Sequence, residues 1–178
     1  MARKDDPQRP MAELEIPLNR DSYLRALLAN LADTIEGVIG LRDASGFVSI
    51  VGQRIGEDLN QNYRDALGAK RLTREQVAQA LVDFERRIQG DFYVIEQDDE
   101  KIVLGNRTCP FAERVYGHPS LCMTTSSTFG VLAAQNQGYA RVVIEQAIAQ
   151  GHPGCRVVIY LKPGKDVPLG EGREYYEV

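Results

Sequence analysis

The spacing of apolar residues changes once along this chain, near Gly90, and that change limits the fold to a helical block followed by a sheet. Before it, apolar side chains recur at three- and four-residue steps; after it, they come in short alternating or β-branched runs. Tyr23, Leu24, Leu27, Leu28, Leu31, Ile35 and Val38 predict a first helix, capped by Asn19 or Asp21 and frayed by Gly37 and Gly40. Phe47, Val48, Val51, Ile55, Leu59, Tyr63 and Leu67 predict a second over 43–67. Inside it Gly52 and Gly56 stand one turn apart. Each costs about 1 kcal/mol of helix propensity against Ala, and such pairs let another helix come close. Thr73 and Gln76 form a capping box for a third helix, ended by Gly90. Its apolar stripe is Val77, Ala80, Leu81, Phe84 and Ile88, with Arg74, Glu75, Asp83, Glu85, Arg86 and Arg87 on the solvent side.

Strands are expected at 92–96 and 101–104, joined by a turn at Asp98 and Asp99. Pro119 opens a helix that Gly138 stops, and its five hydroxyls, Thr124 to Thr128, are expected to bond their own backbone. Strands at 141–145 and 156–161 flank a turn over 151–154. The order implies an α+β domain: N-terminal helices packed on a mostly antiparallel four-stranded sheet, with one crossover helix. Residues 17–162 form the single domain, 1–16 a disordered lead-in and 163–178 a loosely ordered tail.

A net charge of −4 without a basic stripe argues against direct nucleic-acid binding. No apolar run is long enough for a bilayer span, and the first residues lack the apolar core of a secretion signal. Three cysteines without framework spacing fit a reducing compartment, so a cytoplasmic protein is expected.

All three cysteines and both histidines fall between Arg107 and Ile159. Cys109, Cys122 and Cys155 each lie at a predicted element end, where side chains distant in sequence converge. Three thiolates plus His152, Glu145 or His118 would complete a tetrahedral zinc shell. The spacing matches no standard zinc pattern, and buried structural thiols explain the same residues. Cys122 near a helix start and His118 raises a third option, an activated nucleophile, although no oxyanion-hole motif accompanies it.

The run from Cys109-Pro110-Phe111 through Leu121-Cys122, Gly138, Glu145 and Gly154-Cys155 to Val157-Val158-Ile159 resembles the 4-vinyl reductase-like domain group. The closer likeness is to its relative, the methanogen output domain of prokaryotic signalling proteins. The resemblance spans residues 22–161. It implies an α/β build related to trafficking-complex subunits and nitric-oxide-sensing haem domains, frequent dimerisation, and in some members zinc held by three cysteines and a glutamate beside a small-molecule pocket. Carried over, Cys109, Glu145 and Cys155 match three of those ligands, while the middle cysteine's position is Ile148.

The combined expectation is a sensory or regulatory module in signal transduction or transcription control. It would bind a small hydrophobic or aromatic ligand around Phe47, Val51, Tyr93, Phe111, Tyr116 and Phe129, between the helices and the sheet. A cysteine-centred zinc or redox site would accompany it, zinc ahead of an iron–sulfur cluster. Output would pass through a homodimer of the N-terminal helices or a regulator protein. The rival classes are a small enzyme handling a tetrapyrrole or thiol, and a structural adaptor with inert cysteines.

Overall fold

In the computed structural model, which describes residues 10–164 and 172–177, two long helices precede Gly90, and the strands follow it with one crossover helix among them. Helix α1 (Arg20–Leu67) opens with a reciprocal cap: Ser22 N donates to Asn19 Oδ1 and Asn19 N to Ser22 Oγ, both at 2.9 Å. The two helices expected from the sequence are two arms of this one element. They meet at Gly40, whose φ of 80° and ψ of 159° suit a residue without Cβ.

The second arm crosses α3 (Cys122–Gln137) at very short range. A Cβ on Gly52 would stand 2.5 Å from the Thr124 carbonyl oxygen, and one on Gly56 3.0 Å from that of Thr128. Thr128 Oγ1 donates to Gly52 O at 3.0 Å across the same contact. The close approach expected of the glycine pair is therefore present, with α3 as the partner. This seating corrects the expected layering. Helix α1 packs chiefly on α3, while α2 (Arg74–Arg87) and α3 lie against the sheet.

The sheet comprises β1 (Phe92–Gln97), β2 (Lys101–Asn106), β3 (Tyr139–Gln146), β4 (Cys155–Tyr160) and β5 (Arg173–Tyr176), ordered β1-β2-β4-β3-β5 with every pair antiparallel. Five strands replace the four expected, because β5 forms within the stretch read as a loose tail. The Tyr175 side chain explains it. Its ring lies over Gly130 of α3, and its hydroxyl is 3.3 and 3.1 Å from Ser126 and Ser127 Oγ. The hydroxyl run thus bonds neighbouring elements rather than only its own backbone. Residues 1–9 of the expected lead-in, 165–171 and 178 lie outside the described residues.

Between α2, α3 and the sheet, Val77, Leu81, Leu104, Phe129, Leu132 and Ile159 make the main core. Helix α2 is rotated from the expected stripe. Glu85, one and two turns beyond Leu81 and Val77, is 1 % exposed, whereas Ile88 is 42 % exposed and Phe84 half-buried. Among the described residues no helix is long and apolar enough to cross a membrane.

Candidate functional site

Strand pairing brings the cysteines together. Asn106 ends β2 directly opposite Cys155, which starts β4. The buried Asn106 amide then shapes the turn beyond: its Oδ1 accepts from Asp91 N at 3.2 Å and Thr108 N at 3.1 Å, and this delivers Cys109. A 3-10 turn, Pro119–Leu121, runs straight into α3 and places Cys122 in its first turn. The three free thiols line one narrow pocket that opens to solvent. Phe92, Phe111, Leu121, Ile144 and Val157 supply most of the remaining wall. Ala32 on the first arm of α1 packs with the adjoining Val115, Leu121 and Ile148 cluster. A neighbouring hollow shares Cys122, Ile144 and Ala147 and reaches Leu41 and Ser45, just beyond the Gly40 break.

Burial dominates the chemistry of these thiols. It pushes Cys109 up to about 11 and Cys122 up to about 12, and it raises Cys155 as well. The fields of the neighbouring thiols add to the rise at Cys109 and Cys122. At neutral pH all three are protonated. The activation considered for Cys122 is absent: loss of hydration outweighs the helix start. Ile148 N, at 3.5 Å, and Asn106 Nδ2, at 3.9 Å, point at Cys155 Sγ and offset part of its rise.

The other expected metal ligands stand elsewhere. Ile144 lines the pocket, whereas Glu145 stands at the break in register between β3 and β4, outside the lining. There Glu145 accepts from Arg156 Nε at 2.7 Å in an exposed pair. His152 is exposed on the turn before β4, and His118 Nδ1 stands 3.6 Å from Glu36 Oε2. Among the described residues no three His, Cys, Asp or Glu side chains are grouped closely enough to hold one ion.

Of the six expected ligand-contact residues, Phe111 lines the pocket. Phe129 lies one step behind it, edge-on to the lining residue Phe92 at 5.3 Å between ring centres. Tyr93, one residue beyond Phe92, necessarily faces the other side of the sheet, over Gly105 and under the Arg107 guanidinium at 4.0 Å. Phe47 and Val51 are exposed on α1, and Tyr116 is exposed after the loop's 3-10 turn. Helix α3 lies between α1 and the sheet, so Phe47 and Val51 on α1 stand apart from Phe111 and Phe129.

Buried polar atoms without hydrogen-bond partners lie near this end: His118 Nδ1, and two groups that sequence reasoning missed, both Glu85 carboxyl oxygens and Ser120 Oγ. A signal for Glu85 existed in its spacing from Val77 and Leu81.

Comparison with known proteins places this geometry. Residues 27–160 match the family described as methanogen output domain 1. No curated protein matches. Among solved structures, a trafficking protein particle complex subunit 3 from Naegleria fowleri, covalently bound to palmitic acid, is similar in fold. The TM-score is 0.55 at 12 % identity, over 80 % of this chain and 95 % of that one.

Proposed function

The chain belongs to the methanogen output domain 1 family, and on that premise we propose that it is a non-enzymatic regulatory module that binds a small apolar molecule in the thiol-lined pocket. The observation that carries this reading is the wall itself: an apolar lining with three protonated thiols at converging element ends. Such a wall favours hydrocarbon over charged ligands and gives no nucleophile at neutral pH. That a protein of similar fold holds palmitic acid supports an acyl chain or a compact aromatic as the occupant. The zinc and redox readings rest on the same three thiols, and elemental analysis of the purified chain tests the first.

Output runs through a second copy of the chain. On the first arm of α1, Leu24, Leu28, Leu31, Ile35 and Val38 follow the alternating four- and three-residue steps of a coiled-coil seam. Arg25, Ala29, Ala32 and Glu36 face the fold instead, and Leu24, Leu28, Leu31 and Val38 are exposed. A seam without charge pairs with its own copy at no electrostatic cost. Because Ala32 of this arm packs beside the pocket, an occupant there changes what the seam rests on.

Titration with N-phenyl-1-naphthylamine, a neutral fluorescent probe, tests the pocket. The expected result is one saturable site per chain, lost in Cys122→Phe while the thermal transition persists. Equal binding by both proteins removes the reading. Sedimentation of Leu28→Glu tests the seam, with a monomer expected against a wild-type dimer.

A further inference from the structure

Glu85 is the one carboxylate carried into the interior of the described residues without a partner. It is 1 % exposed, and neither oxygen has a hydrogen-bond partner. Its position ties it to the pocket. A Cβ placed on Gly90 would stand 2.7 Å from Glu85 Oε2 and 3.2 Å from Cγ of Pro110, a pocket-lining residue. A charge on Glu85 also acts on both Cys109 and Cys155. The carboxyl therefore sits behind the Pro110 wall, within electrostatic reach of two of the three thiols.

Nothing resident neutralises it. Arg25 on α1 is bound through one terminal nitrogen by Asp21 at 2.9 Å and Gln89 at 2.8 Å, while its buried Nε makes no hydrogen bond. On its own helix, Arg87 is held by Asp83 at 2.7 Å and Arg86 is exposed. Beside β1, Asp91 and Arg107 pair with each other at 3.2 Å in exposed positions. The remaining titratable neighbours, Cys109 and Cys155, are neutral thiols.

We propose that Glu85 receives the ammonium head of an amphiphilic amine whose apolar body fills the thiol-lined pocket. This rests on the pocket reading above and adds the head group to it. Burial alone pushes the Glu85 carboxyl up to about 8, so it holds a proton at pH 7. Binding is then an exchange: the carboxylic acid gives its proton to solvent, and the incoming ammonium, which keeps its own, pairs with the carboxylate. One proton is released per ligand bound. Affinity for the amine rises about tenfold per pH unit up to pH 8 and levels off above it.

The test is calorimetric titration of the full chain with octylammonium, 1-octanol and octanoate at pH 6, 7 and 8, in buffers of different ionisation enthalpy. Octylammonium is expected to bind at least about tenfold more tightly than 1-octanol at pH 8, releasing one proton below that pH. Glu85→Gln, or Glu85→Leu if the amide variant fails to fold, is expected to abolish the preference and the proton release while 1-octanol binding stays. Equal binding of all three heads, or a preference that survives both substitutions, overturns the role of Glu85 and leaves the pocket standing. Failure of every probe to bind overturns the pocket reading and this proposal with it.

Discussion

The two ends of α3 are built on opposite terms. At its C-terminal end polar groups are buried and satisfied. Asn136 Oδ1 accepts from Leu72 N at 2.8 Å and from Arg64, while its Nδ2 donates to Asn60 Oδ1 at 2.6 Å. Asn60 Nδ2 in turn donates to Gln135 Oε1 at 2.5 Å. At the N-terminal end three thiols face a pocket, with Glu85 and Ser120 buried and unpaired around it. Satisfied polar networks hold one arrangement; unpaired buried groups cost stability and persist where function uses them. The contrast is what favours the thiol end for the proposed pocket.

The largest effect that would break this contrast is a pH dependence of stability traced to Glu85. Its folded carboxyl, at about 8, lies far above an unfolded value near 4.5. The native state then holds a proton that the unfolded state has lost, so stability falls as pH rises from about 4.5 to 8 and is flat above. The size is on the order of 4 kcal/mol. Urea unfolding across that range should show Glu85→Gln gaining on wild type by this amount; a constant difference would place Glu85 among the satisfied groups.

At the other end, Asn136→Leu strips partners from Leu72 N, Asn60 and Arg64 together and is expected to cost about 3 kcal/mol in the same measurement. A cost under about 1 kcal/mol would mean that the network does not stiffen this end. Gly52→Ala forces a methyl against the Thr124 carbonyl and should cost about 2 kcal/mol by shifting α1 off α3. The gentlest change is Cys122→Ala, which only widens an existing pocket and should cost about 1 kcal/mol. A smaller cost for Asn136→Leu than for Cys122→Ala would invert which end is tightly held.

Helix crossings and caps were more legible in sequence than the pocket, for a physical reason. Close helix crossings and caps are written locally, so Gly52, Gly56, Thr73 and Gln76 announced their roles. Strand β5 was missed because it is held by Tyr175 on Gly130, a contact between residues 45 positions apart whose pairing no local pattern encodes. Glu145 was offered as a ligand both by its place in the partner strand and by resemblance, yet it pairs with Arg156 at the surface, outside the pocket lining. Glu85 was assigned to solvent because it is charged, although its spacing put it on the apolar stripe. Convergence of the cysteines could be anticipated from element ends; whether they met as ligands or as an apolar wall depended on side-chain directions.

The most direct test is a map of backbone amide shifts in the isotope-labelled chain as N-phenyl-1-naphthylamine is added. Shifts concentrated at Asn106, Phe111, Cys122, Ile144 and Val157, with Asn60, Arg64 and Asn136 unmoved, are the expected result. Shifts confined to the exposed stripe from Leu24 to Val38, or shared equally by both ends of α3, would contradict a ligand pocket at the thiol end.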